Sequence, residues 1–380
     1  MLNKINFLTA GESHGKGLLG IIEGIPAGLN ISKDYINFQL SRRQLGFGRG
    51  ARMKIEKDQA EIYSGVRLGH TIGSPVGLII KNLDAKNWED IMPISADSAD
   101  PKKITLPRPG HADLAGIMKY NFDDIRNVIE RSSARETTMR VGLGSICRKL
   151  LEECDIQVSS YVTQIHNIKD SSDFTKITDV NKKADQSPLR VLNKKSEKEM
   201  IDIIKKAQTN GDTVGGEFRV LISGAPYGLG SYISWNKKLN AKLSEAICSI
   251  NAIKGVYFGS ENAVNSFGSE LHDEIGYEKT YTRANNNAGG IEGGMSNAQT
   301  IVINGSMKPL STLTKPLKSI DIKSKNKKLA HKERTDSCAV PAASIVAESM
   351  VCLVIADTLL DKFGGDSITE LKEHLKSAKY

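Results

Sequence analysis

The sequence predicts a mixed fold of α-helices and β-strands that contains an internal duplication. A predicted strand, a turn of the pattern G-x-P-x-G-L and a predicted helix occur twice in the same order, with the turns beginning at Gly24 and Gly224. Such a repeat of whole elements favours duplication over two unrelated domains. Helical periodicity is strong after Ser133 and over residues 341–363, whereas residues 60–81 alternate as short strands.

The first half begins with strands and one capped helix. Ser32 is the predicted N-cap of that helix, because a serine oxygen accepts hydrogen bonds from the first helical turn. Residues 82–115 form too long a connection for a compact domain unless they are functional or disordered. The predicted elements are, in order, a strand over 5–9, a glycine-rich loop over 11–17, a strand over 18–25, a helix over 32–45, an arginine- and glycine-rich stretch over 42–52, strands over 60–81 and the irregular segment 82–115.

The second half has a stronger helical signal. Ser133 and Glu136 form a predicted capping box, and an apolar stripe at helical spacing follows it as far as Cys154. The predicted elements after this helix are a polar excursion over 170–200, a strand over 216–223, a helix over 236–250, a strand over 299–303 and an apolar core helix over 341–363.

Composition indicates a globular protein located in the cytoplasm. The longest apolar stretch contains Glu348 and Asp357, so no membrane span is predicted, and the N-terminus does not match a signal peptide. The five cysteines are odd in number and no two have C-x-x-C spacing. Free thiols are therefore expected, without a disulfide framework or a structural metal.

The glycine-rich loop contains the pattern G-x-S-x-G around Ser13. In α/β-hydrolases this pattern carries the nucleophilic serine, but it follows several strands of a parallel sheet. Only one predicted strand precedes Ser13. The alternative interpretation is a loop whose backbone N–H groups and His14 approach an anion. A serine hydrolase that uses Ser13 stays open and predicts labelling by a fluorophosphonate.

Arginines are concentrated in two segments that could bind an anion. Four lie within eleven residues among glycines: Arg42, Arg43, Arg49 and Arg52. Guanidinium groups match the geometry of phosphate and carboxylate. The segment from Glu130 to Arg140 places two serines and two arginines at a predicted helix N-terminus, where backbone N–H groups and the helix dipole favour phosphate. The alternatives are a solvated basic loop and a well-capped surface helix.

Three further patterns could carry chemistry. His111 lies in the proline-rich turn 107–113, two residues before a carboxylate, and is a candidate general acid or base. The glycine-rich loop 285–294 precedes a predicted strand, so it is not a dinucleotide-binding fingerprint, but it could pack against a flat ligand. Arg334 and Asp336 place a cation and a carboxylate just before the core helix, where Asp336 could also be the helix cap.

Together these segments resemble the chorismate synthase family, from Gly11 to Glu348 and in the family's order. Thr335 and Ala51 depart from the residues usual in the family, but neither change removes a group with a chemical role. The segments that carry the resemblance are the three signatures at 11–15, 130–144 and 334–336, the supporting motifs at 109–113 and 285–294, and the Gram-positive-like segments 49–57 and 82–104.

The resemblance implies an α+β fold, a β-α-β sandwich with helices between antiparallel sheets and an internal duplication of the strand–turn–helix unit. It implies a single domain over 1–380 with two pseudo-repeated halves, 1–160 and 210–365, separated by the excursion at 170–200. Family members are homotetramers. The expected ligands are anionic small molecules, and neither nucleic acid nor a membrane is an expected partner.

The implied reaction is the anti-1,4-elimination of phosphate from 5-enolpyruvylshikimate 3-phosphate, which gives chorismate in the last common step of the shikimate pathway. The family requires reduced FMN without net redox change, and NADPH is a candidate reductant. By resemblance, His14 protonates the departing phosphate and His111 keeps the reduced flavin ring correctly protonated. Asp336 lies by the reactive edge of the flavin and helps take up the proton lost by the substrate.

The resemblance also implies two sets of binding residues. A substrate with two carboxylates and a phosphate needs several arginines in one pocket. The flavin contacts carry over to Arg131, Ser132, Ser133, Asn251, Ala252, Gly293, Lys308, Ser311, Thr312 and Arg334. The contacts to substrate or NADP carry over to Ser13, Arg43, Arg49 and Arg135.

The net charge of +8 leaves a basic nucleic-acid-binding protein as a second alternative. Such a protein would show an affinity that falls steeply with salt concentration. Aromatic residues make up only 6% of the chain, and no basic stripe is interleaved with them, which argues against this alternative.

Overall fold

Two antiparallel sheets form the outer layers of the fold, and helices lie between them. The structure, a computed structural model, describes residues 2–50, 55–95 and 102–378. Arg52 and Ala51 lie outside these residues, as does part of the 82–104 segment. One sheet has the strand order β1–β2–β6–β3 and the other has the order β10–β15–β9–β7–β8.

Each described strand belongs either to one of these two sheets or to a short hairpin. The four-stranded sheet contains β1 (Asn6–Ala10), β2 (Gly17–Glu23), β3 (Ala60–Ser64) and β6 (Val76–Lys81). The five-stranded sheet contains β7 (Gln157–Ile165), β8 (Ile168–Lys169), β9 (Gly216–Ser223), β10 (Ile253–Phe258) and β15 (Ile301–Met307). The hairpins are β4 (Val66–Arg67) with β5 (His70–Thr71), β11 (Ile275–Tyr277) with β12 (Tyr281–Arg283), β13 (Ile291–Glu292) with β14 (Met295–Ser296), and β16 (Lys318–Ile320) with β17 (Lys327–Leu329).

Two long helices, α4 and α9, lie between the sheets. Helix α4 packs on the four-stranded sheet and α9 packs on the five-stranded sheet, and the two helices contact each other extensively. The described α-helices are α1 (Lys33–Gln44), α2 (Asp113–Tyr120), α3 (Arg126–Ser132), α4 (Thr137–Glu152), α5 (Val180–Ala184), α6 (Lys194–Asn210), α7 (Leu239–Cys248), α8 (Gly268–Leu271), α9 (Val340–Phe363) and α10 (Ile368–Ser377).

This arrangement confirms the predicted α+β fold with helices between antiparallel sheets. Several predicted elements are also confirmed: β9 occupies residues 216–223 as expected, and Ser32 caps α1 by accepting a hydrogen bond from the Tyr35 N–H. Gly144 explains how α4 and α9 approach closely, because a Cβ at this position would lie 2.7 Å from the Ser349 side chain.

The duplicated turns have the same backbone conformation. Gly24 has a φ of 87° and Gly224 a φ of 80°, values that favour glycine. A Cβ at either position would collide with a backbone carbonyl of the preceding structure, Lys4 in the first copy and Asp155 in the second. The sequence match therefore reflects a shared geometric requirement at both turns.

The two turns are also closed by equivalent hydroxyl groups. Thr71 Oγ1 donates to the Pro26 carbonyl at 2.6 Å, and Ser296 Oγ donates to the Pro226 carbonyl at 2.5 Å. Each hydroxyl oxygen also accepts from the backbone N–H of the leucine that ends the motif. These matching contacts support the duplication of the strand–turn–helix unit, while the division into halves at 1–160 and 210–365 stays a prediction.

Residues 170–200 lie outside the main layers but are not merely polar. They form a 3₁₀ turn over Phe174–Lys176, α5 and the first turns of α6, and Val180, Ala184 and Leu192 are buried with Tyr161 of the five-stranded sheet. The predicted polar excursion therefore missed this packing, because the apolar residues of the segment are too few and too dispersed to show a helical or strand period.

Helix α9 is the most buried element of the described chain. By length and composition it is the one described helix that could cross a membrane, but its apolar stretch is fully buried between the two sheets. Its two buried acidic residues are paired: Asp357 accepts from three N-terminal backbone N–H groups and contacts Lys242 at 3.1 Å. Its hydropathy therefore reflects the protein core.

The second acidic residue of α9, Glu348, is the centre of a buried ion cluster. Its side chain accepts from Arg42 at 2.8 Å and from the Ser160 hydroxyl at 2.6 Å, and it pairs with Arg148 and Arg190. Burial alone would raise the pKa of Glu348, but the three guanidinium groups lower it to about 2.

Replacing Glu348 with glutamine is expected to lower the free energy of unfolding by about 3–5 kcal/mol, because three buried guanidinium groups lose the charge of their shared carboxylate. The folded-state pKa of about 2 lies below the ordinary value of 4.5. The contribution of Glu348 is therefore complete above pH 4.5 and is lost as the pH falls toward 2. Urea unfolding of the wild type and the variant, at neutral and acidic pH, measures both effects.

The matched control is Glu373→Gln, because Glu373 lies exposed on α10. Its free energy of unfolding should stay close to that of the wild type. Equal losses in the two variants would show that the ion cluster does not stabilise the core.

Candidate active site

A cavity of about 420 Å³ opens where loops from seven parts of the described chain meet. These loops follow β1, α1 and β15 or precede α2, α4, β10 and α9, so both halves of the fold contribute. Fourteen of the residues predicted from the sequence line it: His14, Arg43, Arg49, His111, Ser132, Ser133, Arg135, Asn251, Ala252, Lys308, Ser311, Thr312, Arg334 and Asp336.

His14 is held at the cavity wall by Glu130. The His14 backbone N–H donates to Glu130 Oε2 at 2.7 Å, and His14 Nδ1 lies 2.8 Å from Oε1. Arg126 Nη1 donates to the same carboxylate at 3.1 Å. Burial would raise the pKa of Glu130, but the hydrogen bonds from His14 and the charge of Arg126 lower it. The carboxylate therefore fixes the orientation of the imidazole ring at the cavity wall.

His111 has a matching arrangement with Asp113. Nδ1 of His111 lies 2.5 Å from Asp113 Oδ1, and Arg108 Nε donates to Asp113 Oδ2 at 2.8 Å. Asp113 is fully buried, yet hydrogen bonds from His111 and Arg108 hold its pKa well below the ordinary value. His111 thus contacts the carboxylate that stands two residues later in the sequence, and Arg108 is an additional member of the group.

Arg43 and Arg135 form the buried cationic side of the cavity. Arg43 Nη1 and Arg135 Nη2 have no hydrogen-bond partner among the described residues, although Asp58 lies 3.7 Å from the former and Glu56 lies 3.6 Å from the latter. Burial, with the nearby charges of Arg49 and Arg135, lowers the pKa of Arg43 to about 10, against the opposing effect of Asp58. Both residues line the cavity, and guanidinium groups match the geometry of anionic ligands.

Asp336 contacts the loop that follows α1 and does not cap the core helix. Its Oδ1 accepts from the Gly50 N–H at 2.6 Å, and its Oδ2 lies 3.3 Å from Arg49 Nε. The N-cap position of α9 is Ala339, without a side-chain cap. The alternative in which Asp336 caps the core helix is therefore wrong, because the N-cap lies three residues later and the helix begins at Val340.

The residues predicted to contact flavin form a second group in the cavity. Asn251 Nδ2 donates to the Ser132 carbonyl at 3.0 Å, whereas the buried Asn251 Oδ1 has no hydrogen-bond partner in the described part of the chain. Lys308 Nζ donates to the Gly110 carbonyl at 3.1 Å. Burial and the charge of Lys254 lower the pKa of Lys308. Thr312 accepts from Arg108 at 2.9 Å, so this group adjoins that of His111.

Three predicted site residues do not line the cavity: Ser13, Arg131 and Gly293. Ser13 is buried beneath the loop, where its backbone N–H donates to the Glu130 carbonyl at 3.0 Å. The Arg131 guanidinium donates instead to the carbonyls of Thr9 and Gly11, at 2.7 and 3.1 Å, along the edge of β1.

Gly293 lies in the turn between β13 and β14. The glycines of the 285–294 loop permit close approach of backbone to backbone: a Cβ at Gly289 would collide with the Gly259 backbone. The interpretation as a set of tight turns therefore explains the glycines of this loop, and the loop does not form a surface of the cavity.

The predicted helix N-terminus at Ser133 is also different in the structure. Ser132 ends α3, and Ser133 caps a 3₁₀ turn over 134–136 by accepting from the Arg135 N–H at 3.3 Å. Glu136 does not complete a capping box, because its carboxylate pairs with Arg140. The segment still reaches the cavity, but through a tight turn between two helices.

Several residues of the site gave little sequence signal. Arg108, Glu130 and Asp113 lie within the motifs at 107–113 and 130–144. The spacing of these motifs does not show that the three residues are partners of the two histidines. Trp88 stacks on His14 from the 82–104 segment, and nothing in the sequence places them together. Conversely, Arg42 was grouped with the anion-binding arginines but belongs to the core ion cluster.

Metal chemistry has no structural counterpart in the described ranges, where no group of three or more histidine, cysteine or acidic side chains could hold a metal ion. The five cysteines are free, and three of them are buried. Ser13 follows the edge strand of an antiparallel sheet, so its setting differs from the strand–helix turn that carries the serine of α/β-hydrolases.

Comparison with known proteins gives one consistent result. Residues 5–360 match the sequence profile of the chorismate synthase family. The chain is 52% identical to the chorismate synthase of Alkaliphilus metalliredigens over 97% of this chain and 98% of the relative. It is 50% identical to that of Bacillus subtilis over 99% of this chain and 98% of the relative.

The fold gives the same result as the sequence. A crystal structure of chorismate synthase superimposes with a TM-score of 0.80 at 39% identity, and the match covers 99% of this chain and 97% of the other. The chain therefore belongs to the chorismate synthase family, the lyases of the shikimate pathway that leads to the aromatic amino acids.

Proposed function

We propose that this chain catalyses the anti-1,4-elimination of phosphate from 5-enolpyruvylshikimate 3-phosphate, and that it requires reduced FMN without net redox change. The observation that carries the proposal is the meeting of Arg43, Arg49 and Arg135 with His14 and His111 in one cavity. A substrate with two carboxylates and a phosphate needs such a concentration of guanidinium groups, and loss of phosphate needs a proton donor nearby.

The residues present fit FMN. The buried Asn251 Oδ1 offers an acceptor for an N–H of a flavin ring, since it has no hydrogen-bond partner within the described residues. Lys308, Ser311 and Thr312 offer a cation and two hydroxyl groups on one loop, as a phosphate group requires. When bound, reduced FMN supplies an electron-rich ring beside the substrate and is unchanged at the end of the cycle.

The side chains of this protein then divide the remaining work. Arg43 and Arg135 bind the anionic groups of the substrate and replace the water that would otherwise solvate them. His14, oriented by Glu130, gives its Nε2 proton to an oxygen of the phosphate as the C–O bond breaks. Asp336 accepts the proton that the substrate loses, and the products together contain all atoms of the substrate.

Enzymatic assay without oxygen tests the requirement for reduced FMN. With the substrate and dithionite-reduced FMN, phosphate release should equal chorismate formed, and the flavin spectrum should return to that of reduced FMN after turnover. Oxidised FMN and dithionite without flavin are the controls, and both should give background rates. Equal rates with oxidised and reduced FMN would refute the cofactor proposal. NADPH in place of dithionite tests whether the chain reduces its own flavin.

We also propose a cytoplasmic homotetramer that binds neither nucleic acid nor membranes. The outer face of the four-stranded sheet supports an assembly, because Leu8, Leu19 and Ile21 are each more than half exposed there. Leu8 pairs across the strands with Ile21, so these side chains form one apolar surface. Light scattering after size exclusion tests the assembly. A monomer at assay concentration would refute it.

A further inference from the structure

Trp88 makes a contact with His14 that no motif predicted. It comes from a 3₁₀ turn over Leu83–Trp88, and its indole ring stacks on the imidazole with ring centroids 3.6 Å apart and an interplanar angle of 26°. His14 is only 7% exposed, and Trp88 and Glu130 are two of the groups that enclose its ring. One of these neighbours fixes a nitrogen atom, and the other fixes the plane of the ring.

Asp84 anchors this turn to the cavity. Its Oδ2 accepts from Trp88 Nε1 at 3.2 Å and also pairs with Arg334, and its Oδ1 accepts from Asn87 at 2.8 Å. Asp84 is 1% exposed. Burial would raise its pKa, but these hydrogen bonds lower it to about 2. The indole is therefore held by an ionised carboxylate that also holds a cation of the site.

Two cations lie close to the same indole ring. The guanidinium carbons of Arg126 and Arg334 lie 5.1 and 6.0 Å from the ring centre. Aromatic faces attract cations, most strongly when water is excluded. The electron-rich ring thus lies among an imidazole and two guanidinium groups.

We propose that Trp88 is a positioning residue for His14: it holds the imidazole plane so that Nε2 faces the substrate while Glu130 holds Nδ1. Trp88 itself transfers no proton and acts through His14. The proposal rests on the proposed role of His14 as the acid for the departing phosphate. It assigns a function to part of the 82–104 segment, whose contribution to the reaction is otherwise unexplained.

Tryptophan fluorescence tests the contact without any measurement of activity. The chain has two tryptophans, and Trp235 is 81% exposed and outside the cavity, so Trp235→Phe leaves Trp88 as the single emitter. An imidazole ring stacked on an indole quenches its emission. Removing the imidazole should therefore raise the emission of Trp88.

The double variant Trp235→Phe/His14→Asn makes this measurement against Trp235→Phe. Emission should be higher in the double variant, because the stacked imidazole is missing. Equal emission of the two variants would show that Trp88 does not contact His14 in solution and would overturn the proposal.

Turnover by a set of variants tests positioning. Trp88→Leu should lower kcat by about 10–100-fold, because a misplaced catalytic group loses most of its advantage. Trp88→Phe keeps a flat ring and should restore much of the rate. KM should change little in either variant. Trp235→Leu is the matched control for loss of an indole and should have the wild-type kcat.

A double-mutant cycle separates positioning from a structural effect. Adding Trp88→Leu to His14→Ala should cause no further loss of kcat, because Trp88 acts through the missing ring. A further loss of the same factor, or a Trp88→Leu variant with the wild-type kcat, would overturn the proposal. If His14→Ala itself retains full activity, the role of His14 as acid is refuted, while quenching by His14 would still confirm the contact.

Discussion

Replacing either His14 or His111 with alanine is expected to lower kcat by about 10²–10⁴-fold, the usual contribution of one positioned proton donor. Each ring is held through Nδ1 by a buried carboxylate, Glu130 or Asp113, and each lines the cavity. Phosphate release under single-turnover and steady-state conditions measures the effect. Binding of the substrate should change much less, because the arginines remain in place.

The controls separate chemistry from folding. His272→Ala is the matched variant, since His272 is exposed and does not line the cavity, and it should retain the wild-type kcat. Thermal unfolding of all three variants should be similar. Full activity of His14→Ala or His111→Ala would refute the role of that histidine. A loss that follows only from unfolding would do so as well.

The substitution Asp336→Asn is expected to lower kcat by at least about 10²-fold, because it removes the base but keeps the size of the side chain. The asparagine oxygen can still accept from the Gly50 N–H, whereas the ionic contact with Arg49 is lost. The variant should therefore fold normally and still bind FMN and substrate. Rapid-reaction assay of phosphate release, together with equilibrium binding, distinguishes loss of chemistry from loss of affinity.

A control variant and the position of the α9 N-cap distinguish a catalytic from a structural role of Asp336. Asp361→Asn changes an exposed carboxylate of the core helix and should leave kcat unchanged. Asp336 is not the cap of α9, so its replacement should not weaken the start of this helix. A large loss of turnover would therefore report loss of the base. Turnover of Asp336→Asn at the wild-type rate would show that Asp336 serves only to hold the Gly50 loop.

The local features of this fold could be predicted because they depend on neighbours in sequence. The Ser32 cap, the strand over residues 216–223 and the apolar helix after Val340 follow from side-chain periodicity and backbone hydrogen bonding within a few residues. The repeated G-x-P-x-G-L turns were visible because each glycine must adopt a positive φ.

Partners that are distant in sequence could not be predicted from the residues alone. Thr71 and Ser296, which lie in separate hairpins, close the two repeated turns. Arg42 donates to Glu348 in the core, whereas its neighbour Arg43 lines the cavity. Adjacent helical residues point in different directions, so one arginine of the pair faces the core ions and the other faces the cavity. Only the packing of helices decides between them.

The sequence by itself determined the set of chemical groups in the site: two histidines, several arginines and a carboxylate, in motifs typical of one family. The tertiary structure decided how they are used. It turned Arg131 to the edge of β1, brought Glu130 and Asp113 to the histidines and stacked Trp88 on His14. These choices depend on contacts between segments far apart in the chain, which form only when the burial of apolar helices fixes the layers.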